Sequence, residues 1–484
     1  MDQGIQTAQE TDSNRNPTLP GAHPAARRKP AGRKPKACID IPKVAQGAAG
    51  AIRKAFPWLN RRLAALSDPR VQDLCVYSGA HLWWTGELYF LTRPGSRNAF
   101  DQTRNSGAAP HNMGAFCGQA ADDPRFEGDP RITCSDNVAH HLKRVEAAEA
   151  QDIPTEMCQD LLVRRFFDGS RIFGCWHVVV FDGTVQEICR KGFAEGGKSG
   201  GSGEARHRYV LQCGLLGPNQ IVFPLMHEHV DMHNPETEKE DCELKAFHRL
   251  AERLKNLFPR LRFCVVGDAL FCVAAVADRC EQYHWKYVLT LKEGRQPGLW
   301  DEVLNLLPLS PENKLRVWTG QNHQQGLRDF RWVENLQLGN HLCTAVLSGE
   351  YDDTESPDGT KAPEGTLYAY ATNFFISRDR VLGIIPNTGR ERHRIEDFFN
   401  AEKNNGIGLE HVFCADANAS KNFFTLMQMA AIHSALIGHG YLRRLYEWAA
   451  RTTDMALAKA IAEGMRTVPF PDILPEPGQF RFDT

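Results

Sequence analysis

The 484-residue chain has no apolar run that approaches the roughly 18 to 20 residues a membrane span needs, so no transmembrane helix is expected. Its start, Met1-Asp2-Gln3-Gly4, lacks the basic residues and apolar stretch of a secretory signal. No two of the 14 cysteines form a C-x-x-C pair, and their spacing is irregular, which removes zinc-finger and disulfide-framework readings. Free thiols in a reducing cytosol are then the default, and a soluble cytoplasmic protein is the expectation. Bulk charge is also missing. A formal net charge of -2 excludes a chain that binds nucleic acid through overall basicity.

What is there is local. Arg27, Arg28, Lys29, Arg33, Lys34 and Lys36 cluster near the N-terminus, and a basic arm can hold phosphate even in a neutral chain. Residues 1–45 are otherwise rich in Pro, Gly and Asn and read as disordered. The length points to roughly two to four modules. From 46 to 168 the apolar spacing is helical: Ile52, Ala55, Phe56, Leu59, Leu63 and Leu66 recur at three and four. Trp83-Trp84, in a second apolar segment, reads as a buried helix face.

Strand character begins with Trp176 to Phe181, followed by Tyr209 to Leu216 and Gln220 to His229. Gly196 to Gly203 reads as a flexible hairpin tip; its spacing does not fit a P-loop. A helix over Asp241 to Phe258, a strand ending at Asp268, a helix over Val273 to Gln282 and a strand over Lys286 to Leu291 follow. A three-strand meander, then helix, strand, helix and strand, is the order of a ribonuclease-H-like core. That core spans 169–307, is interrupted by a β-rich insertion over 308–385, and resumes over 386–440; 441–484 reads as a tail. The fold class is α/β: a mixed-sheet core with a β insertion, plus a helical N-terminal domain.

Three acids stand in distinct contexts. Asp182 ends the run Trp176-His177-Val178-Val179-Val180-Phe181, Asp268 ends Phe263-Cys264-Val265-Val266-Gly267, and Glu396 sits in an arginine-rich helical stretch. Each has a plain structural reading: Asp182-Gly183 as a tight hairpin, Asp268 as an N-cap, Glu396 as a solvated residue. In a sheet of the order above, however, the ends of the first and fourth strands are neighbours. Two strand-end aspartates and a helical glutamate can then hold a pair of divalent metals for phosphodiester chemistry. At 100° per residue, Arg392 lies about 40° and Lys403 about 20° from Glu396 on the helix, so the three share a face. The alternative is a plain Arg392–Glu396 ion pair at i,i+4. His227, Glu228, His229, Asp231 and His233 carry ligating chemistry too, but no cysteine or distant histidine completes a zinc set, so none is expected.

With these residues in view, the chain resembles bacterial insertion-sequence transposases of the DDE superfamily, in the group with the YREK signature. Arg392, Glu396 and Lys403 keep that signature's spacing, and Gly389 stands at its Tyr position. Asp182-Gly183-Thr184, Asp241-Cys242-Glu243-Leu244-Lys245, Gly267-Asp268-Ala269-Leu270, the stretch from Lys403 to His411 and the segment from Asp68 to Asp101 add to the resemblance, which covers about 68–440. It implies two Mg²⁺ ions, with Mn²⁺ as a substitute. Asp182 would bridge both ions; Asp268 and Glu396 would each hold one. Arg392 and Lys403 would contact DNA phosphate. The partners implied are double-stranded DNA (terminal inverted repeats and target) and a second copy of the chain, with 441–484 a candidate contact. The activity implied is nicking at element ends and strand transfer, with a hairpin intermediate. The helical region would read the DNA ends. Tyr368 or Tyr370 could stand in for the missing Tyr, and Trp332 and Trp318 are candidates to stack a flipped base, though a core role suits them better. Two other readings stay open: a decayed or repurposed copy that binds DNA without cutting it, and a different ribonuclease-H-like nuclease.

Overall fold

The three-and-four spacing of apolar residues between Ile52 and Leu66 produces two helices, and all six residues that set the pattern are buried, four within the helices and Phe56 and Leu66 just past their ends. The computed structural model describes residues 39–189, 198–199, 206–230, 242–321, 324–352, 365–441 and 452–471. The first helical layer is α1 (Ile41–Ala55), α2 (Leu59–Ala64), α3 (Gly79–Thr92), α4 (Arg97–Thr103), α5 (Ala109–Cys117), α6 (Ser135–Leu142), α7 (Ala147–Ala150) and α8 (Ile153–Val163). Helix α1 starts inside the segment expected to be a disordered arm, because Asp40 accepts from the Lys43 amide and Pro42 suits the first turn. The rest of that arm, residues 1–38, lies outside the described residues. Helix α3 is capped by Ser78 and buried on nearly every side, with Trp83 and Trp84 in the core.

The sheet follows. Its strands are β1 (His177–Cys189), β2 (Lys198–Ser199), β3 (Arg206–Leu216) and β4 (Val222–Val230), then α9 (Glu243–Leu257), β5 (Phe263–Gly267), α10 (Ala274–Gln282) and β6 (Lys286–Thr290). Strands β1, β3 and β4 pair antiparallel, while β5 and β6 run parallel to β1. The spatial order β4-β3-β1-β5-β6 is that of a ribonuclease-H-like core. After α11 (Pro297–Leu306), the strands β7 (Lys314–Gln321), β8 (Gln324–Leu338), β9 (His341–Asp352) and β10 (Gly365–Thr372) extend the same sheet, β10 pairing with β6 and β7 forming the outer edge. The insertion thus widens the core sheet.

One expectation is corrected. Asp182 does not end its strand, and Asp182-Gly183 is not a turn. β1 runs on to Cys189, because β3 offers partners along the whole length: Asp182 opposite Gln212, Cys189 opposite Arg206. Of the Gly196–Gly203 hairpin tip, only Lys198–Ser199 is described, paired with β3.

The chain closes with α12 (Arg378–Ile384), α13 (His393–Asn404), α14 (Ala417–Ala435) and α15 (Asp454–Thr467). Helix α14, apolar nearly all round and capped by Asp416, packs against α3 and β4 and ties the helical layer to the sheet. Glu187 on β1 receives hydrogen bonds from Ser420 of α14 (2.7 Å) and Arg208 of β3 (2.8 Å), which pins the extended end of β1. The segment read as a tail carries α15, whose apolar face packs on α1; a β-carbon at Gly464 would lie 2.3 Å from that of Ala45. Asn112 donates to the carbonyls of Met465 and Val468 and fixes the helix end. The last residues, 472–484, lie outside the description.

Candidate active site

The parallel register sets Phe181 beside Gly267, so the next residues, Asp182 and Asp268, are neighbours on adjacent strands, which are spaced about 4.8 Å apart. Each carboxylate is steadied locally. Gly183 N–H donates to Asp182 Oδ1 at 3.0 Å, and Leu270 N–H to Asp268 Oδ1 at 2.9 Å. Strand alternation points Asp182 to the side of Val180. On that side Ile395 of α13 lies within van der Waals reach of where a β-carbon on Gly214, the partner of Val180, would be (3.6 Å). Phe181 points to the other side, onto Phe247 of α9.

Helix α13 carries Glu396, which is linked to Asp182 through Arg392. Arg392 ends the short turn Gly389–Arg392 that precedes the helix, and its guanidinium bridges two acids: 2.6 Å to Glu396 Oε1 and 3.8 Å to Asp182 Oδ2. The i,i+4 ion pair and the convergence on Asp182 are both present. Lys403 is not part of this group. It lies seven residues beyond Glu396, about 10 Å along the helix, and pairs with Glu410 at 2.8 Å.

A fourth carboxylate, Glu243, belongs to the same neighbourhood and was not among the expected site residues. It stands at the start of α9, and its carboxyl group lies against Gly183: a β-carbon there would be 2.6 Å from Glu243 Oε1. Only glycine leaves that room beside Asp182. The Asp241-Cys242-Glu243 stretch and the glycine after Asp182 were both visible in the sequence; their contact was not.

Charge is unbalanced here. Burial raises the Asp182 carboxyl to about 7; Arg392 opposes the rise, and Asp268, Glu396 and Glu243 add to it. Burial and Asp268 raise Glu243 as well. Four carboxylates with one guanidinium among them favour binding of hard cations, and oxygen-only donors suit Mg²⁺ or Mn²⁺ over zinc. The donor chemistry therefore fits the implied metal. The placement is incomplete: among the described residues, no three His, Cys, Asp or Glu side chains are gathered tightly enough to hold an ion, and Glu396 is paired with Arg392.

Gly389 has a packing reason. A β-carbon there would lie 2.5 Å from the ring of Tyr370, which fills the space beside it. Tyr370 is buried, and its partner across the strands is Thr290. Tyr368 is half-buried beneath Arg390, whose guanidinium sits 3.8 Å from the ring centre and makes two 2.8 Å hydrogen bonds to Glu350. Trp332 is a core residue at 3% exposure, and the Trp318 side chain lies outside the description. His227 and His229 place their rings 5.1 Å apart against Phe424, and burial lowers both imidazoles; Asp231 and His233 are outside the described residues.

No protein-family model matches the chain, and no curated protein matches it. Among the described residues, no helix is long and apolar enough to cross a membrane.

Proposed function

We propose that the chain is a DDE transposase that cuts the ends of a DNA element and joins them to target DNA by metal-dependent phosphoryl transfer. The observation that carries this reading is the parallel register that sets Asp182 beside Asp268, with Glu396 of α13 joined to Asp182 through Arg392. The YREK-type spacing of Arg392, Glu396 and Lys403 supports it from the sequence.

Asp182 would serve both Mg²⁺ ions (Mn²⁺ substituting), and Asp268 and Glu396 one each. Such ions supply an activated water or 3′-hydroxyl and stabilise the leaving oxygen. The protein's own groups do the rest. The backbone amides of Gly183 and Leu270 orient the two aspartates. With a metal held there, Glu396 would give up Arg392, and that guanidinium would be free for a DNA phosphate. Lys403, farther along α13, acts on a more distant phosphate on releasing Glu410. The partners on this reading are terminal repeats, target DNA and a second copy of the chain, in the cytoplasm.

The test is incubation of purified protein with labelled DNA carrying its own element's ends, with Mg²⁺, beside an Asp268→Asn control. End-specific nicks that vanish in the variant are the expected result. Specific binding without cutting, in Mg²⁺ or Mn²⁺, would replace this reading with that of a decayed copy that only binds DNA.

A further inference from the structure

The helical layer holds an open cavity that the acidic site does not use. It encloses about 450 Å³, within the size range of small-molecule pockets, between α3, α4, the start of α5 and α15. Leu88, Phe100, Ile132 and Met465, all buried, supply apolar wall. Arg93, Arg104, Lys459 and Arg466 line the same space against one carboxylate, Glu463. The walls are fixed to one another: Ala108 N–H, ahead of α5, donates to the Arg466 carbonyl of α15 at 2.8 Å.

The four cations are not equally engaged. Arg104 Nε donates to the Ile132 carbonyl at 3.0 Å. Arg93 is nearly buried, its side chain 5% exposed, and its guanidinium has five N–H donors to satisfy. It makes one hydrogen bond, to the Asn405 carbonyl at 3.3 Å, and an ion pair with Asp454 at 3.8 Å. Its Nε is enclosed and has no hydrogen-bond partner. Burial works against the charge, with Asp454 and Glu402 offsetting it. Among the described residues, the side chains of Lys459 and Arg466 make no hydrogen bond and no ion pair. A neutral ligand would leave these cations unmatched, and a bare inorganic anion would leave the apolar walls to water. An anion with an apolar body answers both needs.

We infer that this cavity binds a small amphipathic anion, a carboxylate head on an apolar body, with the head at Lys459 and Arg466 and the body against Leu88, Phe100 and Ile132. Neither the cavity nor its ligand depends on the transposase reading. The test is calorimetry of the full-length chain with octanoate. One saturable site per chain is expected, with acetate and octanol each at least tenfold weaker, since one lacks the body and the other the charge. Lys459→Ala combined with Arg466→Ala should weaken octanoate about tenfold, and it spares Arg93, which holds the end of α13. Ala462→Phe fills the cavity while keeping every cation, and it should abolish binding. Melting curves check that the variants fold, and Ala462→Leu replaces Ala462→Phe if the ring is not tolerated. No saturable octanoate site, acetate binding as tightly as octanoate, or an affinity unmoved by these variants would each overturn the inference. So would attachment to phosphatidylglycerol vesicles, or to duplex DNA, that the double variant loses while its octanoate affinity stays unchanged: the cations would then serve a membrane surface or DNA.

Discussion

Asp182 is held at the expense of stability, and replacing it should strengthen the metal-free protein. Burial and three neighbouring acids raise its carboxyl to about 7 from an ordinary value near 3.8. Below about pH 4 both folded and unfolded chains hold the proton, and the group costs nothing. Between about pH 4 and 7 the unfolded chain has released the proton and the folded chain still holds it, so stability falls as pH rises through this window. Above about 7 the loss is complete. A rise from near 3.8 to about 7 corresponds to about 4 kcal/mol, an upper bound because the side chain keeps 18% of its exposure; about 2–4 kcal/mol is the working figure. Asn has the same shape, can still accept from the Gly183 amide, and does not ionise. Urea unfolding of Asp182→Asn in EDTA should therefore show a gain of about 2–4 kcal/mol at pH 8 and none at pH 4. Saturating Mg²⁺ should stabilise the unsubstituted chain and narrow the gap, since only that chain keeps the full site. A variant no more stable than the parent at pH 8, or equally stabilised at both pH values, would refute the account of a strained, metal-seeking carboxylate.

Glu243→Gln should weaken Mn²⁺ binding, measured by calorimetry, by about 10- to 100-fold, as loss of a supporting group near a metal does; unchanged affinity would remove Glu243 from the site. Gly389→Tyr should destabilise the fold by about 1–3 kcal/mol through collision with Tyr370, and adding Tyr370→Ala should recover much of the loss in thermal melts. A harmless single substitution would contradict that packing. In the helical layer His433 and Glu87 share a hydrogen bond, and both are fully buried. Glu87→Ala should cost about 3–5 kcal/mol by chemical denaturation, and Glu87→Gln, which keeps an acceptor, markedly less. Equal losses would show that the charge, and not the hydrogen bond, matters there.

The elements themselves were legible because their signals are local. The three-and-four spacing from Ile52 to Leu66, the apolar runs before Asp182 and Asp268, and the strand–helix–strand order that follows are properties of short segments, and the sheet order agrees with them. Where reading failed, a distant partner decided. Asp182-Gly183 looks like a turn in isolation, yet β3 supplies a hydrogen-bonding partner on through Cys189, and a paired strand outweighs a two-residue turn signal. The stretch after Thr453 looked like a tail, but α1 was there to bury one face of it. Helical geometry placed Arg392, Glu396 and Lys403 on one stripe; only the fold set Arg392 against Asp182 and gave Lys403 to Glu410. Residue types and their spacing thus determined the elements and nominated the acids. That Arg392 faces Asp182, and that Glu243 and Tyr370 each occupy the space left by a glycine, depended on contacts between residues about 20 to 210 positions apart, which no local pattern encodes.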